Sequence, residues 1–224
     1  MNNLQKRIFT SFILSAILLI CIFLNKYSFL ILVIIAPVIS FFEFNNLVNK
    51  IWKKKKFFKY FINISCFFYL IFFTYSAYEI YKISLIGTIS ILLICIFSDI
   101  GGYVVGKTIG GKKLTKISPN KTLSGSIGSL IFSLIPIIII LLIYDLTKNS
   151  DFKIHDHQFP NVFSLCLFTS LTCQLGDLFI SFYKRKAKIK DTGSILPGHG
   201  GLLDRIDGII FAVPLVIIVD KIFS

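Results

Sequence analysis

Four aspartates lie close together in the C-terminal half of the chain, in a stretch that is also rich in lysine and arginine. They are Asp177, Asp191, Asp204 and Asp207. Asp204 and Asp207 are three residues apart, so they share one face if a helix begins there. Magnesium binds a few carboxylate oxygens, keeps water ligands and bridges to the phosphates of a substrate. The cluster therefore indicates metal-assisted phosphate chemistry, with helix capping and surface ion pairs as the alternative.

A glycine-rich loop precedes two of these aspartates. Residues 197–201 read Pro-Gly-His-Gly-Gly and lead directly into Asp204. Glycine adopts backbone conformations that other residues avoid, and a simple connection at a membrane surface does not need so many of them. We expect His199 to orient this loop or to hydrogen-bond a phosphate, and a purely structural role is the alternative.

An earlier segment has the composition of a phosphate-binding site. Residues 98–124 combine glycine, lysine, serine and threonine. Glycine lets the backbone approach an anion, and lysines, hydroxyls and the free N–H groups at a helix start can donate to it. A solvated loop that only sets topology is the alternative. Asp99 ends the preceding apolar run, where a carboxylate must pair with a lysine, bind a cation or reach water.

The elements that must position these residues are apolar. Of the 224 residues 55% are hydrophobic and 16% charged, and the mean hydropathy is +0.80, which excludes an ordinary soluble domain. A helix needs about 20 mostly apolar residues to cross a bilayer. The pattern predicts an all-α, polytopic integral membrane helix bundle of about seven transmembrane helices. The expected spans lie near residues 8–24, 28–45, 57–76, 83–98, 124–145, 161–182 and 208–223.

Lysine and arginine are distributed unevenly between the two sides of this bundle. Most of the 24 basic residues precede the first span or lie between spans two and three, four and five, or six and seven. Because basic loops stay preferentially in the cytoplasm, we expect the N-terminus and the loops 98–124 and 183–207 on the cytoplasmic side. Residues 1–97 would supply N-terminal helices, and residues 98–224 the catalytic region, of one continuous membrane domain. The net charge of +13 then reflects topology, so we expect no nucleic-acid partner.

The remaining histidines and the cysteines carry no predicted chemistry. His155 and His157 fall in the expected outer loop, where we expect them to be solvated. The five cysteines lie in apolar runs without metal-type spacing, so we expect them to pack as free thiols.

The motif residues resemble those of a known family. Within residues 181–207 the resemblance lies in Lys184-Arg185, Lys190-Asp191, Gly193, Pro197, His199-Gly200-Gly201 and Asp204-Arg205-Ile206-Asp207. Within the earlier segment it lies in Ser98-Asp99, Gly106-Lys107 and Ser118-Pro119-x-Lys121-Thr122. These motifs are similar to those of the bacterial phosphatidate cytidylyltransferases (CDP-diglyceride synthases) and cover roughly the C-terminal half. That family usually carries glutamate at the position of Ile180 and Trp-Glu at Leu123-Ser124.

The resemblance implies transfer of CMP from CTP to phosphatidate, giving CDP-diacylglycerol and pyrophosphate in phospholipid biosynthesis. A phosphatidate oxygen, already anionic, would attack the α-phosphorus of CTP, so positioning and charge neutralisation replace a strong general base. The residues expected to be catalytic are Asp177, Asp204, Lys184, Arg185 and Arg205. Those expected to bind substrate are Ser118, Lys121, Thr122, Asp99, Lys107, Asp191, His199, Gly200 and Gly201. Those expected to hold metal are Asp177, Asp204 and Asp207.

The resemblance also implies partners and a location. The expected cofactor is Mg²⁺, with K⁺ as a candidate second cation, and the expected partners are CTP, phosphatidate, membrane lipids and a second copy in a homodimer. The expected location is the bacterial cytoplasmic (inner) membrane, as a multi-pass protein. One alternative is a CTP-dependent enzyme that acts on an isoprenoid or polyprenol acceptor. Another is an anion transporter, against which the ionisable residues cluster at one face and no inverted repeat is visible.

Overall fold

The computed structural model describes residues 3–147 and 159–223, and His155 and His157 lie outside these ranges. Within them the chain forms eight α-helices. They are α1 (Asn3–Leu24), α2 (Lys26–Ile51), α3 (Lys56–Ile83), α4 (Leu85–Thr108), α5 (Leu123–Phe132), α6 (Ile135–Thr147), α7 (Phe159–Lys186) and α8 (Leu203–Phe223).

The seven predicted spans correspond to these helices, because α5 and α6 together form one span. Six stretches of the described chain are long and apolar enough to cross a membrane. Helix α8 has 21 residues, which at about 1.5 Å per residue is also long enough to cross, although it begins with charged residues. The prediction of an all-α, multi-pass membrane bundle is therefore confirmed.

Four helices continue further than the sequence predicted. Helix α2 was expected to end near residue 45 but runs to Ile51, and α3 was expected to end near residue 76 but runs to Ile83. Helix α4 was expected to end near residue 98 but runs to Thr108, so Asp99 and Lys107 lie on a helix and not in a loop. Helix α7 was expected to end near residue 182 but runs to Lys186 and carries Lys184. The expected loops 98–124 and 183–207 are therefore shorter in the structure. Glycine and charged residues do not end α4 or α7 where expected, and α8 begins already at Leu203.

Glycines in the last turns of α4 allow this helix to pack closely against α5. A Cβ at Gly101 would lie 2.5 Å from both the carbonyl oxygen of Gly128 and Cβ of Phe132. A Cβ at Gly128 would in turn lie 2.5 Å from Cβ of Val105. Only glycine permits this approach, so α4 and α5 pack backbone to backbone, as small residues allow between membrane helices.

A second glycine contact brings α7 and α8 together. A Cβ at Gly176 would lie 2.6 Å from the carbonyl oxygen of Asp207 and 2.7 Å from Cδ2 of Phe211. The neighbouring residue Asp177 is thereby held beside the first turns of α8. The helices thus place side chains of the sequence motifs at one end of the bundle, here called the motif end, where α2, α4 and α7 finish and α3, α5 and α8 begin.

The core of the bundle accounts for two further sequence features. All five cysteines are free thiols. The predicted packing role is confirmed for Cys95, Cys166 and Cys173, which are buried, whereas Cys21 and Cys66 are partly exposed. Ile180 is only 2% exposed and packs in the apolar core. At this position the family resemblance led us to expect glutamate, and the apolar surroundings suit the isoleucine that is present.

Candidate active site

Asp204, in the first turn of α8, is the most extensively bonded carboxylate of the motif end. Its Oδ1 accepts a hydrogen bond from Nζ of Lys184 at 2.8 Å. Its Oδ2 accepts from the backbone N–H of Thr192 at 2.7 Å, from the Thr192 hydroxyl at 3.0 Å and from the N–H of Gly201 at 3.1 Å. The side chains of Asp204 and Lys184 are 6% and 16% exposed. Asp204 therefore organises the segment between α7 and α8.

The two sequence motifs meet through an ion pair between Lys121 and Asp177. Nζ of Lys121 contacts Oδ2 of Asp177, and the Ser181 hydroxyl donates to Oδ1 of Asp177 at 3.3 Å. Lys121 belongs to the connection before α5, and Asp177 lies in α7. The phosphate-binding segment and the aspartate cluster are thus adjacent in space, although they are far apart in sequence.

Three carboxylates from three helices face the same region. Asp99 of α4 and Asp207 of α8 both lie within electrostatic range of Asp177, and Lys121 and Lys184 are the lysines near them. Like charges repel, so the nearby lysines or a bound cation would stabilise the ionised carboxylates.

A magnesium ion fits the chemistry of these carboxylates. No three His, Cys, Asp or Glu side chains converge on one point as ligands in the described ranges. Mg²⁺ commonly needs only one or two carboxylates, with water and substrate phosphate completing its coordination, so such a site does not require three.

The connection between α4 and α5 forms a tight turn that carries Lys121. The N–H of Leu114 donates to the carbonyl of Lys121 at 2.8 Å, and that of Leu123 to the carbonyl of Lys112 at 2.9 Å. The Thr122 hydroxyl caps α5 by accepting from the N–H of Gly125 at 3.1 Å. The backbone here is therefore held closed, with the lysine side chain directed toward α7.

The other predicted residues of this segment are placed less directly. The N–H of Ser118 donates to the Thr115 hydroxyl at 3.2 Å, so Ser118 belongs to the same turn. Nζ of Lys107 lies 3.4 Å from the Tyr103 hydroxyl, one helical turn earlier on the exposed surface of α4. The structure therefore brings Lys121 into contact with the aspartate cluster, but it gives Lys107 no contact with it.

His199 lies against α1. Its Nδ1 contacts the Thr10 hydroxyl, and its Nε2 lies 3.2 Å from the Ser11 hydroxyl. Burial, followed by the positive charges of Arg205 and Arg7, lowers the pKa of the His199 imidazole, which favours the neutral ring. These contacts favour the structural alternative for His199.

Two glycines shape the loop around this histidine. Gly198 and Gly200 have φ angles of 79° and 88°, which lie in the left-handed region. A Cβ at Gly200 would also lie 2.8 Å from Cβ of Asp191. The motif glycines therefore serve a tight turn and a close backbone approach.

The remaining basic and acidic motif residues lie at the surface. Arg205 donates to the carbonyl of His199 at 3.2 Å, while Arg185 and Asp191 are exposed. None of the three forms an ion pair with another residue of the described ranges. They are free to meet charged groups that arrive from outside the bundle.

Glu43 of α2 is a site residue that the sequence analysis missed. It is 3% exposed. Its Oε1 accepts from the N–H of Leu202 at 3.0 Å, and its Oε2 accepts from the N–H of Leu203 at 2.8 Å and from the Thr192 hydroxyl at 3.0 Å. The signal was present in the sequence, because Glu43 is the one ionisable residue of the predicted span 28–45.

A polar cavity of about 560 Å³ opens beside these residues. Its walls come from the last turns of α2 and from the segment after α7. They are formed by Asn46, Asn49, Lys50, Lys53, Asp191, Thr192, Gly193 and Ser194. Thr192 is also bonded to Asp204, so the cavity adjoins the carboxylate cluster.

The sequence is similar to those of known proteins. A family model described as the cytidylyltransferase family matches residues 66–223. The phosphatidate cytidylyltransferase of Rickettsia bellii (strain RML369-C) is 42% identical over 129 residues, which are 56% of this chain and 53% of that protein. The one of Bacillus subtilis (strain 168) is 37% identical over 165 residues, 71% of this chain and 55% of that protein.

Similar proteins occur in other bacteria, and each match covers only part of the relative. The phosphatidate cytidylyltransferase of Staphylococcus haemolyticus (strain JCSC1435) is 43% identical over 127 residues, 55% of this chain and 44% of that protein. The chain spans about half the length of the curated relatives that it matches. Since the family model covers well over half of its residues, the chain belongs to the cytidylyltransferase family.

Proposed function

We propose that the chain is a phosphatidate cytidylyltransferase that works at the cytoplasmic face of the bacterial inner membrane. It transfers CMP from CTP to phosphatidate and releases pyrophosphate. The observation that carries the proposal is the pairing of Lys121 with Asp177 beside the Lys184–Asp204 pair, which joins both sequence motifs in one charged site. The names of the matched relatives support the choice of substrates.

The reaction requires charge neutralisation more than proton transfer. A phosphatidate oxygen forms a bond to the α-phosphorus of CTP, and the bond from that phosphorus to the bridging oxygen breaks. Pyrophosphate leaves with the electron pair, and no proton has to be removed from the anionic nucleophile. Lys121 and Lys184, each paired with an aspartate, would neutralise the charge on the α-phosphate of the transferred CMP.

Magnesium would be held by Asp177 and Asp207, with Asp99 nearby. Bound there, Mg²⁺ would neutralise phosphate charge. Asp204 is 6% exposed and accepts from Lys184, Thr192 and Gly201, whereas Asp177 is 31% exposed and, among the described residues, meets only Lys121 and the Ser181 hydroxyl. We therefore assign metal binding to Asp177, and we expect Asp204 to orient Lys184 and the 192–201 segment. A second cation such as K⁺ and a homodimer stay predictions.

The two substrates differ in solubility and would enter by different routes. CTP would enter from water through the polar cavity between α2 and residues 191–194, which is within the size range of ligand pockets, about 300–1,000 Å³. Lys50 and Lys53 form no ion pair within the described part of the chain and could meet its phosphates. Phosphatidate would reach the carboxylate cluster from the bilayer.

The proposal is tested by incubating the purified protein with Mg²⁺, labelled CTP and either phosphatidate or a polyprenyl phosphate. We expect CDP-diacylglycerol with phosphatidate, and a large loss of this product in Asp177→Asn. Product only with the polyprenyl acceptor would assign a different lipid substrate. A folded protein that forms no lipid product with either acceptor would contradict the proposal.

A further inference from the structure

We propose that Glu43 of α2 is a positioning residue for catalysis, acting through Thr192 and the start of α8. The inference rests on the proposed function for its kinetic readout. It concerns a helix that precedes the region matched by the family model, which begins at residue 66.

The Glu43 carboxylate caps a helix to which it does not belong. The first N–H groups of a helix lack partners within the helix and carry partial positive charge. Leu202 and Leu203 stand at the start of α8, and their N–H groups donate to the two oxygens of Glu43 at 3.0 and 2.8 Å. A side chain of α2 thus fixes the beginning of the helix that carries Asp204.

A single hydroxyl links this carboxylate to Asp204. Oγ1 of Thr192 lies 3.0 Å from Oε2 of Glu43 and 3.0 Å from Oδ2 of Asp204. A hydroxyl has one proton, so Thr192 can donate fully to only one of the two carboxylates at a time. Any shift of Glu43 therefore changes the hydrogen bonding of Asp204, and through it the position of Lys184.

The surrounding backbone is built to admit this carboxylate. A Cβ at Gly193 would lie 2.5 Å from Oε1 of Glu43, and Gly201 is similarly crowded by Glu43. Glu43 makes no ion pair within the residues that the structure describes. A buried carboxylate without a cation is unfavourable unless several donors satisfy it. Here all of those donors belong to the segment that holds Asp204.

The kinetic test compares Glu43→Gln with Glu79→Gln, a control at the exposed ion pair of Glu79 with Lys82. In Glu43→Gln we expect kcat per folded enzyme to fall by about 10- to 100-fold, because small displacements of catalytic groups cost this much. The KM for CTP should change by a smaller factor than kcat, since Lys50 and Lys53 of the cavity wall are not bonded to Glu43. Glu79→Gln should match the wild type.

Thr192 variants separate positioning from simple stabilisation. Thr192→Val removes the bridging hydroxyl and should lose kcat as Glu43→Gln does, while Thr192→Ser, which keeps it, should recover most of the activity. The double variant Glu43→Gln/Thr192→Val should be little worse than either single variant, because both break the same link. An unchanged kcat per folded Glu43→Gln enzyme would overturn the proposal, even if that variant melted earlier.

A second measurement does not depend on turnover. Trypsin should cut after Lys188 or Lys190 faster in Glu43→Gln than in Glu79→Gln, because the segment between α7 and α8 loses its anchor. Equal cleavage rates would refute the anchoring. If the wild type forms no CDP-diacylglycerol, the proposed function is wrong. The comparison of cleavage rates would still decide whether Glu43 holds this segment.

Discussion

The buried pair of Lys184 and Asp204 makes a quantitative prediction for Lys184→Met. Removing one partner of a buried ion pair costs about 3–5 kcal/mol, because the other charge is left without compensation. Asp204 would keep the N–H donors of Thr192 and Gly201 to its Oδ2, besides the Thr192 hydroxyl that it shares with Glu43, and hydrogen bonds to charged groups are worth about 1.5–3 kcal/mol each. We therefore expect the lower limit, a loss of about 3 kcal/mol.

Thermal unfolding in detergent measures this loss. In a protein of this length 1 kcal/mol corresponds to about 2–4 °C in Tm, so Lys184→Met should unfold about 6–12 °C below the wild type. The double variant Lys184→Met/Asp204→Asn should be more stable than Lys184→Met by at least about 1 kcal/mol, because it contains no buried carboxylate without a cationic partner. As a control, Lys82→Met removes an exposed ion pair and should leave Tm unchanged. If Lys184→Met unfolds at the wild-type temperature, or if the double variant is the less stable of the two, the buried-charge argument is wrong.

Three further predictions concern packing, pH and substrate entry. Gly176→Ala should lower the yield of folded protein and cost about 1–3 kcal/mol, since its Cβ would meet the backbone of α8; a thermal scan equal to that of the wild type would contradict this. Folding lowers the pKa of His199, so the neutral ring stabilises the folded state. This contribution to the free energy of unfolding is present above pH of about 6.5 and is lost as the pH falls through the lowered pKa. His199→Gln should therefore flatten the pH dependence of Tm between about pH 7 and 5, and an unchanged slope would argue against it. Lys50→Ala and Lys53→Ala should raise the KM for CTP several-fold and leave the KM for phosphatidate unchanged. Lys54→Ala, which is exposed but outside the cavity walls, should change neither KM. Equal effects of all three variants would show that the lysines act through general charge and that CTP does not bind in the cavity.

The apolar runs predicted the spans because bilayer thickness fixes the length of a helix whatever its partners. The ends of α4 and α7 were wrong by several residues because glycine and lysine were taken to end a helix. In the structure Gly101 lies at a helix contact, and such contacts depend on the partner surface, which the local sequence does not reveal.

The sequence predicted candidate residues of the site but not the contacts between them. The composition of the two motifs identified Asp177, Asp204 and Lys121 as candidate residues, but not that Lys121 pairs with Asp177 or that Lys184 pairs with Asp204. Glu43 was missed because its donors are about 150 residues away in the chain. The available signal was a single carboxylate in an apolar span. Such a residue indicates that a buried partner exists, but the sequence does not show which residue the partner is.

In the proposed reaction CMP passes from CTP to phosphatidate by attack at the α-phosphorus. The most direct test supplies the purified protein with phosphatidate, Mg²⁺ and CTP carrying a radioactive phosphorus at either the α or the γ position. We predict that the lipid product carries the label from α-labelled CTP, and that the label from γ-labelled CTP appears only in released pyrophosphate. Label from the γ position in the lipid would show phosphoryl transfer in place of cytidylyl transfer and would contradict the account.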